Sequence, residues 1–353
     1  MEEKNLTLTL YGVKDLRLVE KPVREPQYGE VQISVRSVGI CGSDVTYWQT
    51  GRIGSVVVTD PLDMGHEPSG VVSKVGAGVT DLRVGDRVAI EPLISCQSCR
   101  YCRLGKYNVC SNLKYLASPP TDGCLTRFFC HPAHSVHRLP DNVSFDEGAL
   151  VQPLALGFHA CERGEITVGH YVLVSGAGPL GMSVVLAAKA FGAAKICVTD
   201  IDQSRLDFIK NIGAGVTVTV GAETPEVTSQ NVKQSLGRDA DVAIECSGDQ
   251  RGVANVIYST KHTGKVVIAG FGDVTTSVPL VEATLKQLDL RGMIRFANNY
   301  PTVIEAIASG RVNVLQLVTH RFPLERALDA YNMALRREGV KIIIDCHKPV
   351  TSL

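Results

Sequence analysis

The chain has 353 residues, of which 44% are hydrophobic and 20% charged, an ordinary globular composition in a length that exceeds one hydrophobic core. Its 36 basic and 36 acidic residues cancel, so no broad field would steer it toward nucleic acid or an anionic membrane. The apolar runs are too short to span a bilayer, and the polar start at 1–5 is unlike a signal peptide. We therefore expect a two-domain globular protein with neither nucleic-acid nor membrane partners.

The first 150 residues predict short strands separated by turns. Residues 6–11, 16–20 and 30–38 alternate apolar and polar side chains, as half-buried strands do. Glycine, proline and aspartate punctuate these runs, and no long stretch with a helical period appears before about residue 145. This part of the chain is therefore expected to be β-rich.

From residue 171 onward, apolar strand-like runs alternate with amphipathic helical stretches. The predicted elements are strands at 171–175, 195–200, 241–246, 265–270 and 289–293, and helices at 179–191 and 203–212. Such alternation predicts a parallel, doubly wound sheet. The polar stretch 221–230 is expected to be a surface loop. The final 50 residues follow the completed sheet and are expected to return to the first domain.

A glycine-rich turn, Gly176-Ala-Gly178-Pro-Leu-Gly181, joins the first strand of this series to its helix. The first glycine permits a tight turn, the second lets the backbone approach a pyrophosphate, and the third allows close helix–strand packing. Asp200 ends the next strand, where it can bind both ribose hydroxyls and repel a 2′-phosphate, which favours NAD over NADP. Arg205 leaves NADP open, because a nearby guanidinium could accommodate that phosphate. A glycine-rich turn of an unrelated α/β protein is the other interpretation.

Four cysteines in one short segment give the strongest metal signal. Cys96, Cys99, Cys102 and Cys110 are spaced so that four thiolates can close a tetrahedral zinc site with no open position, which makes it structural. An iron–sulfur cluster can use similar spacings and stays an alternative. With no secretory signal, the eleven cysteines favour reduced thiols, and therefore the cytosol, over a disulfide framework.

A second set of metal-binding residue types is dispersed along the chain. Cys41 follows the strand predicted at 30–38, His66 and Glu67 come later, and a third candidate position lies near residue 152. A catalytic zinc takes about three protein ligands and keeps one exchangeable position, from which it acts as a Lewis acid on a substrate oxygen. Combined with a dinucleotide fold, this set fits hydride transfer from an alcohol carbon.

These motifs together resemble those of a known family. The segments Gly65-His66-Glu67-x2-Gly70-x5-Gly76-x2-Val79 and Gly85-Asp86-Arg87-Val88, the four cysteines and the dinucleotide loop are similar to those of zinc-containing medium-chain alcohol dehydrogenases. The resemblance covers nearly the whole chain. Within the family it is strongest to the sorbitol dehydrogenase group of polyol dehydrogenases, in the segments 38–48, 105–108, 118–123, 139–142 and 318–320.

The resemblance implies a domain plan and a set of site residues. It implies a GroES-like catalytic domain at 1–155 and 293–353, with a structural zinc loop at 96–110, and a Rossmann domain at 156–292, with a cleft for cofactor and substrate. The catalytic residues implied are Cys41, His66 and Glu67 around a second zinc, Ser43 as a proton-carrying hydroxyl, and Gln152 as a further candidate ligand. The coenzyme contacts implied are Gly176, Gly178, Leu180, Gly181, Asp200, Arg205, Ala269, Gly270, Phe271, Met293, Ile294 and Arg295. The substrate contacts implied are Tyr47, Gln152, Arg295 and Phe296. A homodimer or homotetramer follows by the same analogy.

Three positions depart from the sorbitol dehydrogenase pattern, and all three lie at the expected chemistry. Gln152 stands in place of a glutamate, Thr46 in place of a histidine and Phe296 in place of a tyrosine. A neutral amide cannot accept a proton, so Gln152 removes both a charge and a proton acceptor from the zinc site. The less anionic surroundings would make the zinc more electrophilic, and these two effects oppose each other.

The expected function is a zinc- and NAD-dependent oxidation of a secondary alcohol of a small-molecule polyol to a ketose. One alternative is a homologue that keeps coenzyme and structural zinc binding but has lost efficient catalysis. Another is a dehydrogenase for a different polyol, such as xylitol or threitol, because Phe296 lacks one hydroxyl. Tyr47 as a core residue, and Arg295 as a contact to the coenzyme alone, also stay open.

Overall fold

The structure is a computed structural model that describes residues 4–347. It divides into two compact units. The first is built from the chain up to Gln152 and from Tyr300 onward, and the second from Pro153–Asn299. The domain boundaries predicted at 155 and 293 remain predictions. Among the described residues, no helix is long and apolar enough to cross a bilayer.

The first 150 residues form short strands and few helices. The strands are β1 (Lys4–Gly12), β2 (Asp15–Pro22), β3 (Glu30–Gly39), β4 (Arg52–Ile53), β5 (Val56–Val57), β6 (Leu62–Asp63), β7 (Glu67–Val75), β8 (Arg87–Ile90), β9 (Leu93–Ile94), β10 (Lys114–Tyr115), β11 (Phe128–Pro132) and β12 (Val136–Arg138). The helices are α1 (Gly42–Thr50), α2 (Arg100–Arg103) and α3 (Phe145–Ala149). The strands predicted at 6–11, 16–20 and 30–38 are present as β1, β2 and β3. Helix α1 has no predicted counterpart, because glycine, serine, aspartate and threonine are weak helix formers.

The rest of the chain alternates helices and strands before it returns to the first unit. The helices are α4 (Val151–Gly164), α5 (Pro179–Ala190), α6 (Gln203–Ile212), α7 (Pro225–Leu236), α8 (Gln250–Ser259), α9 (Leu280–Leu285), α10 (Tyr300–Ala308) and α11 (Ala327–Leu335). The strands are β13 (Tyr171–Ser175), β14 (Lys195–Asp200), β15 (Val216–Thr219), β16 (Ala240–Glu245), β17 (Thr260–Ile268), β18 (Asp289–Gly292), β19 (Val318–Pro323) and β20 (Lys341–Asp345).

The second unit contains the predicted parallel sheet. Its strands lie in the order β15-β14-β13-β16-β17-β18, and each neighbouring pair is parallel. Leu173, Cys197, Ala243 and Val266 are buried at its centre. This strand order is that of a dinucleotide-binding doubly wound sheet, in which ligands bind outside the carboxyl ends of the strands. The predicted α/β fold class is confirmed.

The surface loop predicted at 221–230 is wrong in its second half, where α7 begins. Thr224 is the N-cap of α7, and Pro225 occupies the first turn, where its missing N–H costs no helical hydrogen bond. Thr228, Val232 and Leu236 recur at helical spacing and are buried. Two of these three residues lie beyond residue 230, so the polar composition of 221–230 hides the amphipathic face.

The largest sheet of the first unit brings distant segments together at one strand end. β3 pairs with β7 on one side and with β20 on the other. At its carboxyl end, Gly39 lies opposite Glu67 of β7 and opposite Ile343 of β20. Residues that follow β3, begin β7 and begin β20 are therefore neighbours in space.

Candidate metal centres and coenzyme loop

The carboxyl end of β3 gathers the dispersed metal-binding residues. Cys41 follows β3 at the N-cap of α1, and His66 and Glu67 lie where β7 begins. One candidate ligand atom from each of the three lies within 4.8 Å of the other two, and the His66 and Glu67 side chains are buried. Gly39 makes room for this arrangement, because a Cβ at residue 39 would collide with the Glu67 carboxylate.

Asp44 lies behind the histidine of this set. Its Oδ1 is 3.2 Å from Nδ1 of His66, and its Oδ2 accepts a hydrogen bond from the backbone N–H of Cys41 at 3.0 Å. Burial alone would lower the pKa of His66, but the Asp44 carboxylate raises it well above its ordinary value. Asp44 thereby fixes the ring and leaves Nε2 as the nitrogen available to a metal.

Lys341, the first residue of β20, lies behind the glutamate. Its Nζ is 2.8 Å from both carboxylate oxygens of Glu67 and 3.2 Å from the carbonyl oxygen of Ile40. Burial would lower the pKa of Lys341, but the Glu67 carboxylate raises it, so the ammonium stays charged. Lys341 and Glu67 are both buried, and no motif in the sequence predicts that they pair.

The donor set fits a zinc ion by type and by charge. One thiolate, one imidazole and one carboxylate oxygen are ligands that zinc prefers, and three protein ligands leave a position open. With zinc bound, Cys41 would be a thiolate and His66 a neutral ligand. The Glu67 and Asp44 carboxylates and the Lys341 ammonium would then bring the net charge of the site to minus two, which the ion would cancel. Cys41 and Glu67 alone would also sum to minus two, because the buried charges of Asp44 and Lys341 cancel each other.

Gln152 and Tyr115 lie beside this donor set. The Nε2 amide group of Gln152 donates a hydrogen bond to the Tyr115 hydroxyl at 2.9 Å, and the Tyr115 ring lies 5.4 Å from the His66 ring, centroid to centroid. Burial raises the pKa of Tyr115 to about 12, which keeps the phenol protonated at neutral pH. The Oε1 atom of Gln152 is buried and has no hydrogen-bond partner among residues 4–347. Its role as a zinc ligand stays a prediction.

Three other predicted or divergent site residues lie on α1. Ser43 is half-buried in the first turn, close in sequence to Cys41, and its proton-carrying role stays a prediction. Thr46 donates its hydroxyl hydrogen bond to the carbonyl oxygen of Gly42 at 3.0 Å, within the helix. Tyr47 is buried in the hydrophobic core, with its hydroxyl 3.1 Å from Ser118 Oγ. This environment favours the alternative that Tyr47 is a core residue, and its substrate contact stays a prediction.

The four-cysteine segment forms a separate, compact cluster. The Sγ atoms of Cys96, Cys99, Cys102 and Cys110 lie within 4.8 Å of one another, and the pairs within hydrogen-bond range are 3.5 or 3.9 Å apart. Four sulfurs at about 2.3 Å from a tetrahedral zinc would be about 3.8 Å apart, so the spacing fits. Backbone N–H groups of Ser98 and Cys99 lower the pKa of Cys96 to about 6, whereas burial raises that of Cys102 to about 11.

The glycine-rich turn of the second unit has the geometry that a dinucleotide requires. Gly176 has a φ of +103°, and a Cβ at Gly181 would collide with the carbonyl oxygen of Gly176. A Cβ at Gly178 would meet no atom of residues 4–347 within 4 Å, so this side of the turn is open to a ligand. Gly178 is also the N-cap of α5, and the N–H groups at the start of a helix can bind a phosphate.

Asp200 ends β14 next to this turn. Its Oδ2 accepts a hydrogen bond from the backbone N–H of Ala177 at 2.6 Å, and its Oδ1 accepts one from Asp202 at 2.9 Å. These two hydrogen bonds hold the carboxylate in place. Each of its oxygens keeps a further lone pair that can accept a hydrogen bond from a ribose hydroxyl. Arg205 is in contact with Asp202, at 3.7 Å between Nε and Oδ2, so its charge is partly engaged within α6.

The remaining predicted coenzyme residues follow two further strands of the sheet. The segment Ala269, Gly270 and Phe271 comes directly after β17, and Met293, Ile294 and Arg295 come directly after β18. Because β13, β14, β17 and β18 are parallel, all the predicted coenzyme contacts lie at the carboxyl edge, where such sheets bind ligands. Leu180 is half-buried in α5, whereas Phe296 is fully buried.

A doubly wound dinucleotide unit and a separate unit with an open zinc donor set define a zinc-dependent dehydrogenase. Comparison with known proteins supports this class. Residues 27–141 match the alcohol dehydrogenase GroES-like domain, and residues 179–309 match the zinc-binding dehydrogenase domain.

The chain is similar over almost its full length to sorbitol dehydrogenases. It is 46% identical to that of Gallus gallus over 97% of each chain, and 47% identical to that of Bos taurus over 97% of this chain and 96% of the other. An Escherichia coli oxidoreductase of unknown specificity has a similar structure, with a TM-score of 0.91, 32% identity and coverage of 98% and 100%. The chain belongs to the zinc-containing medium-chain alcohol dehydrogenase family, as its motifs predicted.

Proposed function

We propose that this enzyme oxidises a secondary hydroxyl of a polyol to a ketone, with zinc as its metal and NAD as its hydride acceptor. The observation that carries the proposal is the convergence of Cys41, His66 and Glu67 at one buried point. The same chain has a dinucleotide turn with an anchored carboxylate, Asp200. An inactive homologue is not favoured, because all three candidate ligands are present and close together.

Different residues of this chain would hold the metal, orient its ligands and carry the proton. When bound, zinc polarises the alcohol oxygen and NAD accepts the hydride. Cys41, His66 and Glu67 hold the metal, while Asp44 and Lys341 keep two of these ligands oriented. The Ser43 hydroxyl would relay the proton that leaves the alcohol, accepting it while releasing its own hydroxyl proton toward solvent, because Gln152 cannot accept one.

The substrate class rests on the relatives and on the residues near the donor set. The similar proteins of Gallus gallus and Bos taurus are sorbitol dehydrogenases, and this supports a polyol for the present chain. Gln152 and Phe296 differ from the corresponding residues of that group, so xylitol and threitol are the other polyols to test. We propose substrate contacts at Gln152, Arg295 and Phe296, while the contact predicted for Tyr47 competes with its place in the hydrophobic core.

The coenzyme proposal follows from the charge beside the dinucleotide turn. An anionic Asp200 accepts hydrogen bonds from two ribose hydroxyls, whereas it repels the 2′-phosphate of NADP. Arg205 is close to Asp202 and is thus partly neutralised. We expect NAD to be preferred over NADP by at least about tenfold, the equivalent of about 1.4 kcal/mol.

An activity screen tests the proposal directly. Sorbitol, xylitol, iditol, threitol and simple secondary alcohols would each be offered with NAD and with NADP, while the zinc content is measured on the same preparation. We expect NADH formation with at least one polyol and two zinc ions per chain. Absence of turnover with every polyol, or a single zinc ion confined to the four-cysteine cluster, would contradict the proposal.

We also propose that the enzyme is a homo-oligomer that works in the cytosol. Strand β18 lies at an edge of its sheet, and α9 exposes Leu280, Val281 and Leu285, an arrangement that another subunit could cover. The cytosol is proposed because the cysteines of the two candidate zinc sites would be needed as free thiols, which suits a reducing compartment better than a disulfide framework. Light scattering would give the dimer or tetramer mass that we expect, and a monomer would contradict it.

A further inference from the structure

Only the nitrogen end of the Gln152 amide has a hydrogen-bond partner among the described residues. Its Nε2 donates a hydrogen bond to the hydroxyl of Tyr115 at 2.9 Å, whereas its Oε1 is buried with no partner in the described chain. Native proteins seldom leave a buried carbonyl oxygen unpaired, and a ligand hydroxyl that reaches this atom would satisfy it. Gln152 is only 3% exposed, so bulk water does not solvate it freely.

Tyr115 holds the nitrogen end of this amide. The Tyr115 oxygen accepts one of the two Nε2 hydrogens, and Oε1 is the unpaired acceptor that Gln152 offers to a ligand. Tyr115 is itself held on β10, where it pairs with Leu93 of β9, and its ring packs beside His66. The residue that holds Gln152 therefore lies beside His66 of the donor set.

An amide oxygen can accept a hydrogen bond but cannot take the proton. The hydroxyl that reacts must lose its proton, so an amide is a poor partner for it. A hydroxyl that keeps its proton throughout the reaction is a suitable partner. A polyol carries such hydroxyls next to the reacting one, and a simple secondary alcohol has none.

We propose that Tyr115 is a positioning residue, which holds Gln152 so that Oε1 accepts a hydrogen bond from a non-reacting hydroxyl of the substrate. The inference rests on the proposed function for its ligand class, and it assigns to this pair the discrimination between diols and simple alcohols. The pair recognises a neighbouring hydroxyl without adding negative charge to the metal centre.

The test compares two ligands that differ by one hydroxyl, butane-2,3-diol and butan-2-ol. Their dissociation constants would be measured by calorimetry on the zinc-loaded protein saturated with NADH, a measurement that needs no turnover. Gln152→Ala should weaken binding of the diol about tenfold, as expected for one lost hydrogen bond, and binding of butan-2-ol less than about twofold. Tyr115→Phe should weaken binding of the diol by about threefold to tenfold, because the amide is then free to turn.

The double variant shows whether Tyr115 acts through Gln152. If it does, Tyr115→Phe combined with Gln152→Ala weakens diol binding no more than Gln152→Ala alone. Gln152→Glu, which keeps an acceptor, should recover diol binding to within about threefold of the unmodified chain. Tyr28→Phe and Gln230→Ala, at exposed positions of each unit, are matched controls and should leave both constants unchanged.

The outcomes separate this inference from the proposed function. If the diol and butan-2-ol lose affinity equally, or the effects of the two single variants multiply, Tyr115 does not position Gln152 for a hydroxyl and the inference falls. If the diol binds as expected but no polyol is oxidised, the proposed function fails while the inference stands. If the unmodified chain binds neither the diol nor sorbitol, both are overturned.

Discussion

The two metal-binding clusters of this chain differ in how their parts are brought together. The four cysteines lie in one segment, Cys96 to Cys110, and their sulfurs are already at the spacing of a closed tetrahedral site. The second donor set takes Cys41, His66 and Glu67 from separate segments, and its neighbouring charges come from α1 and from β20, near the other end of the chain.

This difference in how the ligands are brought together matches the difference between a closed structural site and an open catalytic site. A closed site needs only its own ligands, so local spacing is enough to build it. An open site has to hold its ligands in place without a fourth protein ligand, and it does so here through Asp44 behind His66 and Lys341 behind Glu67. Substitutions in the first cluster should therefore act mainly on stability, and substitutions in the second mainly on activity.

The largest effect is expected from Cys99→Ser in the closed cluster. Losing one of four thiolates opens the site and removes the folding free energy that a structural zinc contributes, by at least about 4 kcal/mol. Urea unfolding and zinc analysis would show a less stable protein with one zinc ion fewer per chain. The matched control is Cys130→Ser, outside both clusters, which should keep both zinc ions. Unchanged stability would show that this cluster does not hold a structural metal.

His66→Ala should nearly abolish activity while the fold persists. Removing a ligand of the catalytic zinc forfeits several kcal/mol of transition-state stabilisation, so kcat/KM should fall at least about a thousandfold. Zinc content should drop to the ion in the cysteine cluster, and NADH binding, measured by fluorescence, should stay within about twofold of the unmodified protein. A variant that keeps both zinc ions and its activity would remove His66 from the metal site.

Lys341→Met tests the long-range part of the open site. It leaves the buried Glu67 carboxylate without its cation, which should lower the free energy of unfolding of the metal-free protein by about 3 kcal/mol. The loss should be smaller with zinc bound, because the metal then partners the carboxylate. Lys74→Met breaks the exposed pair with Glu25 and should cost less than about 1 kcal/mol. Equal losses with and without zinc would show that Glu67 does not face the metal.

The smallest effect is expected in the second unit, which carries neither cluster. Asp200→Ala should weaken NAD binding about tenfold and bring the affinities for NAD and NADP closer together, because one anionic acceptor is lost. Zinc content should not change. Fluorescence titration with NADH and NADPH measures both affinities, and a chain that prefers NADPH before the substitution would contradict the assignment of Asp200.

Features that lie within a short stretch of the sequence could be predicted, whereas contacts between distant segments could not. The four cysteines, the glycine turn and five of the six parallel strands of the second unit were predictable, because each follows from a short spacing or from the alternation of strands and helices. Strand β15 was not predicted. Lys341 was not, since its role arises only when β20 pairs with β3. Nor was the hydrogen bond between Gln152 and Tyr115, which joins side chains 37 residues apart. Helix α7 was missed because the apolar residues of its buried face lie mostly beyond its polar first turn.

A crystal structure with anomalous diffraction data collected on both sides of the zinc absorption edge tests most directly whether both clusters bind zinc. We predict two zinc peaks per chain, one among Cys96, Cys99, Cys102 and Cys110 and one among Cys41, His66 and Glu67. The second peak should lie on the side of Glu67 away from Lys341, whose Nζ holds the other side of the carboxylate. A single peak in the cysteine cluster, from crystals grown with zinc present, would contradict the account of the open site.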